Sequence, residues 1–222
     1  MLKLTEFDYL LPKDLIAQYP LQKREEARLL IVNRKTGTIS HGVFKEIFGF
    51  FKKNDLLVLN DTKVLHCRLM GKKSTGGRVE ILLTRRINGT TFACLVQPSR
   101  TKVGEKIVFA AGKITGILSS RGQISFKQLD ADTIYNYGIV PLPPYIKREP
   151  EDLDTVYYQT VYAKNVGALA SPTAGLHFTR ESLKQIHGAG VNLAYVTLHV
   201  GLGTFRPVRC ENITEHKMEP EY

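Results

Sequence analysis

Two short segments of the sequence combine glycines, hydroxyl side chains and a histidine, which are residue types that hold and transform small charged ligands. They are Ser171-Pro-Thr-Ala-Gly-Leu-His-Phe178 and Thr197-Leu-His-Val-Gly-Leu-Gly-Thr-Phe205. The first precedes a predicted helix, where unpaired backbone N–H groups and the helix dipole attract a carboxylate or phosphate. A tight connection that only caps the helix is the alternative interpretation.

Each segment contains one histidine that is a candidate general acid or base, His177 in the first and His199 in the second,. A purely structural histidine is the alternative for both. Both segments follow predicted strands, and ligands of open α/β sheets bind outside the carboxyl ends of the strands. Convergence of the two histidines at one sheet edge would therefore favour catalysis.

Two further glycine motifs do not indicate nucleotide sites. Gly201-Leu-Gly203 has no third glycine at the right spacing, and Arg206-Pro207 does not open a helix, so a dinucleotide-binding motif is rejected,. Gly71-Lys-Lys-Ser74 lacks the upstream glycine of a phosphate-binding loop,. We interpret it as a basic turn exposed to solvent.

The middle of the chain is predicted to be a small β-domain. Short β-favouring runs follow one another at Leu56–Asn60, Arg78–Leu83, Phe92–Gln97, Lys106–Phe109, Ile114–Leu118 and Gln123–Phe126. Glycine-containing breaks, Gly71 among them, separate the runs, a spacing typical of an antiparallel barrel or sandwich. The proline-rich segment Val140–Tyr145 marks its end,.

The flanking segments are predicted to be α/β. Helices are expected from Pro12 to Gln18, over Val43–Phe51, and over Thr179–His187 with Thr179 as N-cap,. Strands at Val166–Ala170 and Val191–Val200 enclose the last helix as a β-α-β unit,. The fold class is thus a discontinuous α/β domain with an inserted small antiparallel β-barrel. Its boundaries are 1–57, then 58–147 for the barrel, then 148–222 with the candidate site.

Charge is concentrated in the predicted barrel. The chain has a net charge of +10, and the segment from Lys63 to Lys127 holds thirteen Lys and Arg against the two acids Glu80 and Glu105. Such a segment predicts an anionic partner. No apolar run is long enough for a membrane span, and three widely separated cysteines imply neither disulfides nor a metal site,. We expect a cytoplasmic, monomeric protein without a membrane partner.

Seven motifs, in order along almost the whole chain, resemble those of the S-adenosylmethionine:tRNA ribosyltransferase-isomerases of queuosine biosynthesis. They are Phe7–Pro12 with Leu15–Pro20, Asp55–Thr62, Thr75–Leu83, Pro141–Ile146, Tyr158–Ala163, Pro172–Phe178 and Thr197–Phe205. The resemblance implies an α/β domain with an inserted barrel. It also implies transfer of the ribosyl part of S-adenosylmethionine to 7-aminomethyl-7-deazaguanine at the tRNA wobble position, giving epoxyqueuosine with loss of adenine and methionine. S-adenosylmethionine is a co-substrate in this family, and no metal or prosthetic group is implied.

On this basis the candidate site residues fall into three groups. For catalysis we expect His177 as the base, His199 as second choice and Asp61 as a partner that orients a histidine. S-adenosylmethionine is expected at Pro172, Thr173, Ala174, Gly175, Thr197, Gly201, Gly203 and Thr204. The tRNA is expected at Lys72, Lys73, Arg85 and Arg86, with Tyr145 or Tyr158 stacking on a base,.

Three features of the sequence depart from the family pattern. His66-Cys67 stands where the family has Pro-Ala, and Ser171 where it has Ala. After Met218 the family has a histidine and continues into a further α/β section with an Asn-Phe-His-Leu-Pro motif, whereas this sequence has Glu219-Pro-Glu-Tyr222. The alternative to a transferase is therefore a non-catalytic or shortened tRNA-binding member of the family. A methyltransferase is disfavoured because no glycine-rich cofactor loop follows a first strand.

Overall fold

The computed structural model of the chain describes residues 2–127 and 131–222 and divides into two compact units. Unit 1 comprises Met1–Lys63, Pro144–Arg148 and Val156–Tyr222, and unit 2 comprises Val64–Pro143 and Glu149–Thr155. Residues 128–130 of the predicted barrel domain lie outside the described residues. The domain boundaries expected from the sequence remain predictions.

The regular elements are short strands with few α-helices. The strands are β1 Arg28–Val32, β2 Ile39–Val43, β3 Leu56–Asn60, β4 Thr62–Val64, β5 Arg68–Lys73, β6 Arg78–Arg86, β7 Thr91–Gln97, β8 Lys106–Phe109, β9 Ile114–Ser120, β10 Gln123–Phe126, β11 Asn165–Ala168 and β12 Asn192–Val196. The α-helices are α1 Ala131–Tyr135, α2 Asp154–Tyr157 and α3 Arg180–Gly188. Turns of 3-10 helix cover Leu4–Phe7, Lys13–Leu15, Arg24–Glu26, Phe44–Phe50, Ala110–Gly112, Thr173–His177, Leu202–Phe205 and Ile213–Glu215.

Unit 2 contains a closed antiparallel barrel with strand order β10-β7-β6-β5-β8-β9. Its strands alternate buried apolar and outward residues, as β6 shows with Val79, Ile81 and Leu83 inside. This period of two places one side chain in every pair in the barrel interior. The predicted inserted barrel is confirmed.

The predicted break at Gly71 was wrong, and so was the basic turn expected there, because Gly71 lies within β5. A Cβ atom at this position would lie 2.6 Å from Ile107 Cγ2 and 2.7 Å from the Phe109 ring. The glycine is therefore required by the close packing of large side chains on β8 rather than by a turn. Lys72 and Lys73 accordingly belong to a strand.

The described residues of unit 1 form three two-stranded sheets, and in one of them β3 and β12 pair in parallel, with Leu56 opposite Asn192. An apolar cluster packs around Phe44, Leu59, Phe178 and Ile186. The predicted β-α-β unit differs in detail, because β11 pairs with β4 rather than with β12.

The predicted N-cap of α3 is confirmed, since the Thr179 hydroxyl accepts from the Ser182 N–H at 3.0 Å. The other two predicted helices are only 3-10 turns, Lys13–Leu15 and Phe44–Phe50. Across residues 2–127 and 131–222, no helix has the length and apolar character needed to cross a membrane.

Candidate functional site

His199 is held by a threonine and a glycine from two neighbouring segments. Its Nδ1 lies 2.7 Å from the hydroxyl oxygen of Thr62, whose side chain is completely buried. The ring also lies against Gly167 of β11, where an added Cβ would be 2.6 to 2.7 Å from Cε1, Nε2 and Cδ2. The histidine therefore has one anchored nitrogen and a flat backbone surface below its ring.

Asp61 lies beside Thr62 but has different partners. Its carboxylate accepts from the Thr197 hydroxyl at 2.6 Å and from the Asn165 amide at 3.2 Å, and that amide also donates to the Thr197 hydroxyl at 2.8 Å. The role expected for Asp61, contact with a histidine, is instead taken by Thr62. Asp61 fixes Thr197, two residues before His199.

His177 lies in a different environment, next to the apolar cluster of unit 1. Its ring centroid is 5.2 Å from that of Phe44. Burial lowers the pKa of His177 below its ordinary value of 6.5. A hydrogen bond with the Arg24 backbone raises the pKa in part, and the positive charge of Arg24 lowers it further. His177 is thus a neutral imidazole at neutral pH, as a general base must be.

The Arg24 guanidinium supports the same region. It donates to the carbonyl oxygens of Gln159 at 2.7 Å, Leu176 at 3.2 Å and Val156 at 2.5 Å. Arginine has five donors in a fixed plane, which suits it to join several carbonyl groups at once. Arg24 therefore ties the segment before β1 to the turn that carries His177.

The turn Thr173–His177 is closed by a tyrosine. Gly175 is buried, and an added Cβ would overlap the Tyr162 hydroxyl and lie 3.1 Å from Thr160 Cγ2. Burial, together with Tyr195, raises the pKa of Tyr162 to about 12, so its hydroxyl keeps its proton. The buried hydroxyls of Thr160 and Ser171 have no hydrogen-bond partner among the described residues. Pro172 precedes this turn, Thr173 and Ala174 begin it, and all three are at least partly accessible.

The glycines of the second segment lie against residues 219–221. The Gly201 N–H donates to Glu221 Oε1 at 3.1 Å, and a Cβ on Gly203 would lie 2.9 Å from Glu219 Cβ. Gly203 and Thr204 line a cavity of about 720 Å³. The rest of its wall carries both charges, with Arg206, Arg209 and Lys217 against Glu215, Glu219 and Glu221.

The predicted tRNA-binding cations are on the barrel but do not form one cluster. In the register of β5 with β6, Lys72 lies opposite Arg78, the first residue of β6, whereas Arg85 and Arg86 are at the end of β6. At about 3.4 Å per residue the two pairs are roughly 24 Å apart along the strand. Among the tyrosines, Tyr145 is 49% exposed whereas Tyr158 is 7% exposed.

The structure joins part of the predicted site and separates the rest. Thr197 contacts Asn165 of β11, and His199 contacts Gly167 of the same strand. His177 lies instead beside Phe44 and Arg24. Sequence reasoning gave no role to Thr62, Gly167 or Asn165. The signal for Thr62 was an Asn-Asp-Thr run directly after an apolar strand. Asn165 and Gly167 stand in no comparable pattern.

The fold and site together define a protein with a discontinuous α/β unit, a basic antiparallel barrel, and a threonine-anchored histidine beyond the end of a parallel strand pair. The family model described as "Queuosine biosynthesis protein" matches residues 4–222. The chain belongs to this family, which confirms the resemblance of its motifs.

Relatives match along the full length of this chain. Proteins named S-adenosylmethionine:tRNA ribosyltransferase-isomerase are 48% identical over 228 residues in Sulfurihydrogenibium sp. (strain YO3AOP1) and 49% identical over 230 residues in Halothermothrix orenii. Each match covers 100% of this chain, and 68% and 67% of the relative respectively. A crystal structure of S-adenosylmethionine tRNA ribosyltransferase from Thermotoga maritima is 32% identical, with a TM-score of 0.37. That match covers 88% of this chain and 58% of the crystallised one.

Proposed function

We propose that this chain transfers and isomerises the ribosyl part of S-adenosylmethionine onto 7-aminomethyl-7-deazaguanine in the wobble position of tRNA, forming epoxyqueuosine and releasing adenine and methionine. One observation carries the proposal. The chain is 48% and 49% identical in sequence, over its whole length, to relatives that bear the name of that enzyme. The environments of His177 and His199 give it a chemical basis.

S-adenosylmethionine is assigned to the cavity lined by Gly203 and Thr204. Its volume of about 720 Å³ is within the usual range for small-molecule sites,. The ligand carries a carboxylate, an ammonium and a sulfonium. Arg206 and Glu219 are ion-paired with each other, so the wall offers Arg209 and Lys217 for the carboxylate and Glu215 and Glu221 for the two cationic groups. Thr197 and Pro172–Gly175 do not line this cavity, and their contact with S-adenosylmethionine remains a prediction from the sequence.

A matched pair of glycine variants tests this assignment. Gly203→Val places a side chain against Glu219 at the wall of the cavity, whereas Gly49→Val enters open space. Calorimetry should show S-adenosylmethionine binding weakened at least tenfold in the first variant and unchanged in the second. Equal binding by both variants would remove the cavity from the proposal.

The reaction requires a base for the proton on the carbon beside the sulfonium. We assign this role to His177, which lies in the turn Thr173–His177 and which burial keeps neutral by lowering its pKa. His177 does not line the cavity, so the reacting carbon of the ligand must reach from the cavity to this turn. Adenine release from S-adenosylmethionine, measured chromatographically with tRNA carrying the precursor base, should fall about 10²- to 10⁴-fold in His177→Ala. His41→Ala, at an exposed position of β2, is the control. Parental rates in His177→Ala would make that histidine structural, and a parent chain that binds tRNA but releases no adenine would favour the tRNA-binding alternative.

The barrel is assigned to the tRNA because the segment from Lys63 to Lys127 holds thirteen Lys and Arg against two acids and so accounts for the net positive charge of the chain. Lys72, Arg85 and Arg86 are exposed and Lys73 is partly so. Tyr145 is the accessible candidate for stacking on a base, whereas a stacking role for Tyr158 would require its exposure. Each phosphate contact contributes about 0.7 to 0.9 to the slope of log K against log salt.

Neutralising four barrel cations should therefore flatten the salt dependence. The quadruple glutamine variant of Lys72, Lys73, Arg85 and Arg86 should lower the slope by about 3. A matched control neutralises four exposed cations outside the barrel: Lys13, Arg34, Lys35 and Lys45. Equal slopes for the two variants would place the tRNA elsewhere.

A further inference from the structure

His199 is fixed in one orientation by contacts on two sides. Thr62 holds Nδ1 at 2.7 Å, and Gly167 leaves no room between its backbone and the ring face. The backbone is fixed as well, because the Leu169 N–H donates to the Val200 carbonyl at 2.8 Å and Thr197 is bonded to Asp61. The ring can therefore present only its second nitrogen, Nε2, to a ligand.

The buried hydroxyl of Thr62 decides which ring nitrogen carries the proton. Thr62 is completely buried, and the partner of its hydroxyl among the described residues is His199 Nδ1. A buried donor left without an acceptor is unfavourable, and orphaned donors are rarer than under-used acceptors. The hydroxyl therefore donates to Nδ1. A neutral imidazole that accepts at one nitrogen carries its proton on the other.

We infer that His199 is a fixed hydrogen-bond donor through Nε2–H rather than the catalytic base, and that Thr62 is the positioning residue that sets this tautomer. A neutral imidazole donor can stabilise charge developing on a bound ligand without giving up its proton. Within the proposed transferase, on which this role rests, the acceptor is a nitrogen or oxygen of S-adenosylmethionine. The base is then left to His177.

The tautomer is measured without any assay of activity. Long-range ¹H–¹⁵N correlation spectra of the whole labelled chain at neutral pH distinguish protonated from unprotonated ring nitrogens, and His199→Gln identifies the His199 signals. Nε2 should be protonated and Nδ1 unprotonated in the parent and in Thr62→Ser, which keeps the hydroxyl. Thr62→Val should show a mixture of tautomers. A protonated Nδ1 in the parent, or an unchanged pattern in Thr62→Val, would overturn the inference.

Activity separates a donor from a base. Glutamine places an amide N–H near the position of Nε2 but cannot accept the proton, so His199→Gln should release adenine at least tenfold faster than His199→Leu. Thr62→Val should lower kcat about 10- to 100-fold with KM for S-adenosylmethionine little changed, as expected for a misplaced catalytic group. Equal loss in the glutamine and leucine variants would refute the donor role. A parent without activity refutes the transferase proposal, while the spectra still test the tautomer.

Discussion

Replacing Arg24 by methionine should destabilise unit 1 measurably. Methionine keeps much of the length of the side chain but removes three hydrogen bonds to the carbonyl groups of Val156, Gln159 and Leu176. Hydrogen bonds from a charged donor contribute about 1.5 to 3 kcal/mol each. Water can replace the exposed bond to Val156, so the two partly buried bonds dominate and give about 3 to 6 kcal/mol.

A desolvation cost reduces this value. Burial lowers the pKa of Arg24, which means that its charge is partly withdrawn from water in the folded chain. Removal of the charge recovers that cost, and we expect a net loss of about 2 to 3 kcal/mol in the free energy of unfolding. For a chain of this size the corresponding fall in the melting temperature is roughly 4 to 12 °C.

Thermal unfolding followed by circular dichroism measures the effect, and a neighbouring residue supplies the control. Lys23→Met removes the same charge one position earlier, where Lys23 and Glu26 form an ion pair with side chains 71% and 49% exposed. An exposed pair of this kind contributes about 0 to 1 kcal/mol. If the two variants melted within about 2 °C of each other, the interaction of Arg24 with the three carbonyl groups would not be a significant source of stability.

Three further predictions concern local features. Thr179→Val should cost about 1 kcal/mol in the free energy of unfolding, measured with urea, because α3 loses its N-cap; an unchanged midpoint would contradict this,. The pKa of His177 is lowered on folding, so the unfolded chain binds its proton more readily and stability should fall as the pH drops below 6.5,. His177→Asn should reduce that dependence of the melting temperature on pH, and identical profiles would refute the linkage. Burial raises the pKa of Cys67 and Cys94 to about 12, so a maleimide at pH 8 should modify only the more accessible Cys210, and a Cys210→Ser chain should show no fast reaction,.

The barrel was predictable from local patterns. Strands such as Lys106–Phe109 and Gln123–Phe126 have the bounds that alternation and turn residues indicated. Gly71 was the exception, because a glycine that ends a strand and a glycine that makes room for Phe109 look alike in sequence. The distinction depends on β8, more than thirty positions later.

The site was less predictable, since its contacts join distant segments. The motifs that contain Thr62 and His199 both stand out in the sequence, yet their 2.7 Å contact depends on β11 and on the parallel pairing of β3 with β12. His177 was expected to face a ligand from a glycine turn, and its contact with Phe44 comes from the segment after β2. Side-chain partners of this kind follow from topology, which local periodicity does not determine.

The parallel pairing of β3 with β12 has a consequence for the order of folding. Every strand of the barrel lies between Leu56 and Asn192 in sequence, so the ribosome completes the barrel before it makes the partner of β3. The barrel strands pair with neighbours that are close in sequence for the most part, and such contacts form early and fast. Once the barrel has formed, it shortens the flexible connection between β3 and β12 and lowers the entropy cost of bringing them together. During synthesis the exposed apolar residues of β3 therefore stay unpaired until β12 is made, which leaves that strand open to misassembly.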